Sequence, residues 1–330
     1  MRELLISAEK IIDCLNDGVY VCDRNRRIVF WSKAAERITG WRSEDVLGRA
    51  CLEDILNHVD KDGHRLCGEE YCPLHRAMIT GVTTNVPIIV FALRKDGRRV
   101  PTQVTTAPIH NEAGEIIGGV ETFRDVSPIL VDLERAQKIQ NQTLQQDLPE
   151  DPRLRFSTFF MSYDIVGGDY YAIQAIDADR YGFLLADMEG HGVAAALYAM
   201  HLSILWTRHF QLLKSPAEFA AAINEDLIKI FGSVVTFATA MCGVIDASAG
   251  TMCFTGAGGP TPLIIHENWA VDEPKSTGPP LGVMEDIPYK EKTVKLEAGD
   301  SILLFSDGAT EIQNAQNEWL GVEGFTQILK

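Results

Sequence analysis

The 330-residue sequence predicts an α+β protein of two domains joined by a helix. Three observations carry that reading. The length exceeds what one ordinary core fills and suits two domains of roughly 100 to 200 residues each. Residues 11–126 and the chain from Arg155 onward both mix short β-branched or aromatic runs with helical stretches. Between them lies a glycine-free, glutamine-rich segment of different character. The predicted boundaries are 1–127, a helical linker 128–150, and 151–330.

In the first domain "GVYVC" and "RIVFW" are strands around the polar turn "DRNR". "SKAAERITGW" has apolar residues at helical spacing. In "RSEDVLGR" Ser43 is the expected cap of a short helix, with Glu44 and Asp45 in its first turn. "VPIIVFALRKDGRRVPTQVTTAPIHNEAGEIIGGVETFRDV" reads as three strands separated by turns at Lys95–Gly97 and Asn111–Gly114.

Residues 128–150 carry Leu130, Leu133, Ile139, Leu144 and Leu148, which predicts a helix ending at Pro149. So thin a stripe suits either a helix that pairs with its own copy in a dimer or a rigid linker. Beyond it, "GVAAALYAMHLSILWTRHF" and "SPAEFAAAINEDLIKIFG" are predicted helices, the second starting at a Ser215 cap with Pro216 next and Glu218 reaching back. "FATAMCGVIDASAGTMCFTGAG" reads as a hairpin. "DSILLFSDG" reads as a strand buried on both faces.

Residues 1–127 hold 17 Lys+Arg against 19 Asp+Glu, which leaves 13 against 27 in the remainder. So acidic a second half argues against a nucleic-acid or anionic-membrane partner and leaves divalent-cation binding open beside a merely solvated acidic surface. No apolar run reaches membrane-spanning length and no secretory pattern opens the chain, so the expected location is cytoplasmic. Seven cysteines then suit reduced thiols or metal ligation better than a disulfide framework.

Three aspartates share one context, an apolar strand-like run with glycine beside the carboxylate: Asp169 in "DIVGGDYYAI", Asp187 in "YGFLLADMEGHGVAAAL" and Asp307 in "ILLFSDGATE". Oxygen ligands from separate strand ends suit Mg2+ or Mn2+, which keep waters and bridge to phosphate. His191, four residues after Asp187, reads either as a general acid or as a turn residue; His201 and His209 fall in a helical pattern.

Together, "AQKIQNQTLQQDLP", "VGGDYY", "LLADMEGHGVAAAL", "AGGPTPLII", "GPPLGV" and "LEAGDSILLFSDGATE" resemble the SpoIIE-like branch of the metal-dependent PPM (type 2C) Ser/Thr protein phosphatases over about residues 135–330. The resemblance implies an α/β/β/α sandwich with two Mn2+ or Mg2+ ions. In it Asp187 bridges both ions, the Met188 carbonyl helps hold one, and Asp169 and Asp307 complete the set. Ala172, Glu189 and Gly259 depart from the usual pattern without removing a ligand. Family members continue into a last strand with a further metal-binding aspartate, so the domain is expected to be shortened at its C-terminus.

Residues 9–127 resemble a PAS sensory domain, through "DGVYVCDRNRRIVFWSKAAERITGWRSEDVLGR" and "RKDGRRVPTQVTTAPIHNEAGEIIGGVETFRDVS". Its ligand is not legible. An insertion holds Cys51, His58, His64, Cys67, Cys72 and His75; Cys51, Cys67, Cys72 and His64 form a candidate zinc or iron–sulfur site, against ordinary thiol packing. His75 is a weaker candidate for ligating haem.

The resemblances jointly imply a PAS-regulated phosphoserine/phosphothreonine phosphatase, homodimeric through the PAS domain and linker helix. Its implied substrate is a phosphorylated regulatory protein of the anti-sigma-factor antagonist type. The alternative is a catalytically impaired phosphatase domain that acts as a signal-dependent binding module.

Overall fold

The computed structural model describes residues 8–53, 55–68, 71–84, 88–162, 164–276, 278–314 and 316–329. The first seven residues of the amphipathic N-terminus, and Val86–Pro87 at the start of one expected strand, lie outside the described residues. The chain divides into two compact units, Met1–Asp132 and Leu133–Lys330.

In the first unit helix α1 (Ala8–Asp13) precedes strands β1 (Gly18–Asp23) and β2 (Ile28–Trp31). Helices α2 (Lys33–Thr39), α3 (Ser43–Val46) and α4 (Pro73–Thr80) follow, then strands β3 (Ile88–Leu93), β4 (Arg99–His110) and β5 (Ile116–Asp125). The strands form one antiparallel sheet in the order β2-β1-β5-β4-β3. Ser32 starts α2 by accepting the Ala35 N–H, and Gly40 ends it at φ 75°, a left-handed turn that L side chains resist. Ser43 does not cap α3. That position belongs to Arg42, whose N–H is met by the Asp45 carboxylate, so Ser43 lies one residue inside the helix. Tyr20, Trp31 and Phe123 pack with Ile28, Ile55, Leu74 and Val104 in the core.

Helix α5 (Ser127–Leu144) stops short of the predicted Pro149. The reason is a competing bond: Gln146 leaves the helix to donate to the Tyr171 carbonyl (2.7 Å) and accept the Ile173 N–H (3.2 Å). It thereby covers the edge of strand β6 (Asp169–Ala175).

The second unit continues with β7 (Arg180–Met188), α6 (Val193–His209), α7 (Pro216–Phe231), β8 (Ala238–Asp246) and β9 (Thr251–Ala257). Short strands β10 (Leu263–Ile265), β11 (Val271–Asp272), β12 (Lys292–Lys295) and β13 (Ser301–Leu303) follow, then helix α8 (Gly321–Ile328). One sheet runs β12-β9-β8-β7-β6 and a smaller one β11-β10-β13. The large sheet meets α6 and α7 through Leu184, Leu202, Leu205, Phe219 and Leu227. Phe183, Met241, Met252 and Phe254 instead cluster with Ile302 and Leu304 of the β13 segment. This is the layered α+β arrangement the sequence predicts. Two local expectations differ. At α7, Ser215 holds the cap position, but its N–H bonds the Leu212 carbonyl (2.9 Å) rather than Glu218; its hydroxyl donates to Glu291 (2.6 Å), which also takes the orphan Ala217 N–H (3.1 Å). The "DSILLFSDG" strand is only three residues long and half-exposed, because β13 pairs with β10 on one side alone among the described residues.

Candidate metal centre

Asp169 opens β6 and Asp187 lies one residue from the end of β7; the antiparallel register puts them directly opposite each other. The side chains therefore share one face at the same end of the sheet. Asp307 arrives after β13 in a single tight turn (Asp307–Ala309), whose Thr310 and Glu311 N–H groups both bond the Asp307 carbonyl. The Asp187 carboxylate interacts with both Asp169 and Asp307. Asp169 thus opens its strand rather than following one, but the three predicted carboxylates meet.

Burial, then the neighbouring carboxylates of Asp169 and Asp307, push the Asp187 carboxyl up to about 8. Burial raises Asp169 as well, against the Ser306 hydroxyl, which donates to its Oδ2 at 3.1 Å. Beside them the Met188 N–H bonds the Gly168 carbonyl (3.2 Å), and a Cβ at Gly168 would stand 3.1 Å from the Met188 oxygen. Glycine leaves that carbonyl approachable. Hard oxygen donors, mutual repulsion and an open carbonyl together fit divalent cations of the Mg2+ or Mn2+ type.

The three carboxylates line a cleft of about 1020 Å3 with Phe160, His191 and Phe305. His191 sits between Gly190 and Gly192, at φ 88° and 83°, where the chain turns from β7 into α6. Its Nδ1 is 2.9 Å from Asp164 Oδ2. His201 is half-buried on α6, and His209 pairs with Asp226 at 2.9 Å.

Three participants escaped the sequence reading: Ser306, Asp164 and Gln140. Gln140 is 3% exposed, donates to the Gly167 carbonyl (2.7 Å) and accepts the Gly167 N–H (3.0 Å). It binds α5 to the loop that delivers Asp169. The available signal was its place four residues before Leu144, on the same helical face.

In the first unit the proposed thiol site does not assemble. Cys51 and Cys72 are buried, and Cys67 accepts the His58 N–H at 3.1 Å. His64 instead closes an exposed turn, its N–H bonded to Asp60 Oδ1 at 2.8 Å and its ring 3.0 Å from Asp60 Oδ2. Among the described residues only Asp60, Asp62 and His64 bring three potential ligand atoms within 4.8 Å of one another. The imidazole that enters the core is His58, whose Nε2 lies 3.7 Å from Glu121 Oε1. His75 is half-buried on α4, next to inward-facing Leu74.

Residues 8–126 match the PAS fold, and residues 177–330 match the family described as Stage II sporulation protein E (SpoIIE). The chain is 26% identical over 183 residues to Phosphoserine phosphatase RsbP of Bacillus subtilis (strain 168), covering 54% of this chain and 45% of RsbP. It is 24% identical over 193 residues to Phosphoserine phosphatase RsbU of the same organism, covering 58% of this chain and 57% of RsbU. It therefore spans about half the length of these relatives. The solved SiaA-PP2C domain of Pseudomonas aeruginosa superposes with a TM-score of 0.53 at 23% identity, covering 61% of this chain and 81% of that one, which supports the fold. No described helix is long and apolar enough to cross a membrane. With carboxylates at the strand ends and both sequence matches in agreement, the chain joins a PAS domain to a phosphatase domain of the SpoIIE type.

Proposed function

We propose that the chain is a PAS-regulated, metal-dependent protein phosphatase. It removes phosphate from phosphoserine or phosphothreonine on a regulatory protein, of which an anti-sigma-factor antagonist is the leading class. The observation that carries this reading is the meeting of the Asp169, Asp187 and Asp307 carboxylates in one cleft. The two B. subtilis relatives, both named phosphoserine phosphatases, supply the substrate chemistry.

Asp187, central among the carboxylates, would bridge two Mn2+ or Mg2+ ions; Asp169, Asp307 and the Met188 carbonyl would complete their protein ligands. Such a pair of ions supplies a hydroxide near neutral pH and neutralises phosphoryl oxygens. Ser306 fixes the Asp169 carboxylate by its hydrogen bond. Gln140 holds the Gly167–Asp169 approach in place through paired amide bonds. We further assign homodimerisation through the PAS domain and α5, and a cytoplasmic setting, on the strength of the family. A domain division at 1–127, 128–150 and 151–330 belongs to the same proposal.

The test is Mn2+-dependent hydrolysis of 4-nitrophenyl phosphate and of a phosphoserine peptide by the full chain, beside Asp187→Ala. Loss of the Asp187 carboxylate should lower both rates by about 10²- to 10³-fold, the loss expected when preorganised charge stabilisation is removed. Equal rates in the two proteins would leave the binding-module reading instead.

A further inference from the structure

We propose that the mouth of the carboxylate cleft docks the segment of a protein substrate around its phosphoserine. Glu189 selects a lysine or arginine about two positions from the phosphoserine, and Phe159 and Met161 cover an apolar side chain beside it. This deepens the phosphatase reading and rests on it. Glu189 departs from the usual family pattern and has no part in the ligand set. Its N–H bonds the Phe237 carbonyl at 2.9 Å, which carries the β7–β8 ladder one residue pair past Met188 and Ala238. Glu189 therefore continues the face of β7 that bears Asp187, about 7 Å further along at the usual strand rise. About two residues of an extended peptide cover that distance. On the β6 side, a Cβ at Gly167 would stand 3.0 Å from Ser162 and 3.3 Å from Phe160, so residues 160–162 lie over the approach to Asp169. Phe160 turns inward onto Tyr171, with ring centroids 6.5 Å apart, while Phe159 and Met161 on either side of it are 87% and 78% exposed.

Charge and apolar surface together name the occupant. Six carboxyl side chains line the cleft, and among its described lining residues there is no lysine or arginine. Asp169, Asp187 and Asp307 are the ligands of the proposed ions, and Asp164 meets the His191 ring at 2.9 Å. Glu189 and Glu311 remain, both exposed. Acids at a rim attract a basic segment and repel an acidic one. Large apolar side chains exposed beside a cleft mark a surface that a partner covers. A phosphoserine segment with both kinds of flanking residue meets the two features at once, whereas a small phosphate ester reaches neither.

The test measures kcat/KM of the full chain with Mn2+ on phosphoserine peptides that carry a single arginine, or a single glutamate, at successive positions on either side of the phosphoserine. Arginine about two positions away should give the fastest hydrolysis, and glutamate there the slowest. An exposed ion pair contributes up to about fivefold. Glu189→Lys turns attraction into repulsion for the arginine peptide and does the reverse for the glutamate peptide, so their ratio should shift by about tenfold or more toward glutamate. That gain for the glutamate peptide is a result that neither misfolding nor damage to the metal site produces. Phe159→Ala combined with Met161→Ala should lower hydrolysis of a peptide with leucine beside the phosphoserine by about tenfold relative to 4-nitrophenyl phosphate, the worth of one large apolar contact. A ratio unmoved by Glu189→Lys, or peptide rates indifferent to where arginine stands, overturns the assignment. So does a Phe159→Ala, Met161→Ala chain whose sedimentation changes while its peptide rate does not, a result that gives those residues to contact between copies. Each of these outcomes leaves Mn2+-dependent hydrolysis of 4-nitrophenyl phosphate by the unaltered chain in place; its absence overturns the phosphatase reading and this inference with it.

Discussion

Glu121 is buried in the PAS core with neither carboxylate oxygen hydrogen-bonded among the described residues, and replacing it with glutamine should change how stability depends on pH. Burial first, then the Cys51 thiol, push its carboxyl from 4.5 up to about 8. Burial, then the charge of Arg99, pushes His58 from 6.5 down to about 4. The two act in opposite directions. Glu121 binds a proton in the folded state that the unfolded chain has released, so its contribution is complete below 4.5 and is lost as pH rises to about 8. His58 is neutral when folded and charged when unfolded, so its contribution is complete above 6.5 and is lost as pH falls to about 4.

Between pH 4.5 and 6.5 these slopes cancel. Above 6.5 Glu121 continues to lose its proton beside Cys51, whose thiol the Cys22 hydrogen bond holds below its usual range, and Glu121→Gln removes the Glu121 slope only. At about 1.4 kcal/mol per pH unit, the contribution of Glu121 to the folded PAS domain should fall by about 2 kcal/mol between pH 6.5 and 8. Glu121→Gln should lack that fall, and should weaken instead as pH drops from 6.5 toward 4. The thiols of Cys67 and Cys72 and the Tyr20 hydroxyl are all raised by burial and stay protonated throughout. Amide hydrogen exchange along β5, corrected for intrinsic rates, measures the opening free energy in both proteins. Parallel wild-type and variant curves between pH 6.5 and 8 would show that Glu121 is not the group being titrated.

Gln140→Ala strips Gly167 of both amide partners. Leaving half-buried backbone groups unmet costs at most about 1–3 kcal/mol, so exchange at residues 166–169 should accelerate and Mn2+ affinity, read by calorimetry, should fall. Gly182 faces Leu213 so closely that a Cβ would collide with it; Gly182→Ala should destabilise the second unit by about 1–3 kcal/mol in urea unfolding, and Leu213→Ala should relieve part of that clash.

Much of this molecule is legible from local pattern. The strands of "GVYVC", "RIVFW" and the β3–β5 meander follow from β-branched and aromatic runs punctuated by turn residues, because each can bury one face against a neighbour that the next turn supplies. Asp187 was legible only in company: one aspartate after an apolar run is ordinary, and it was the set of Asp169, Asp187 and Asp307 that pointed to a site. What pattern could not supply was the identity of partners distant in sequence. Glu291 caps α7 from 74 residues away, and Ser306 reaches Asp169 across 137 residues. Nothing near Ser215 or Asp169 announces either. His64 misled for the converse reason: it lies near three cysteines in sequence, at a spacing that matches no standard site, and a local turn with Asp60 satisfies it first.

The glutamines of α5 show where the limit lies. Read by period, Gln140 and Gln146 are interruptions in a stripe of leucines, which weakens the case for a helix that packs. In the structure Leu130, Leu133 and Leu148 of the stripe are half-buried and Ile139 is 60% exposed, while Gln140 is buried with Leu144. A side-chain amide offers one donor and one acceptor in fixed geometry, the pair that an unpaired backbone residue requires. Gln140 meets both groups of Gly167, and Gln146 meets the Tyr171 carbonyl and the Ile173 N–H. The same residues that lower the apolar moment therefore do what a neighbouring strand would do at the edge of β6 and its approach. Hydrophobic period assigns a helix its buried face only when the surface it meets is apolar; against backbone, the interrupting glutamines mark that face.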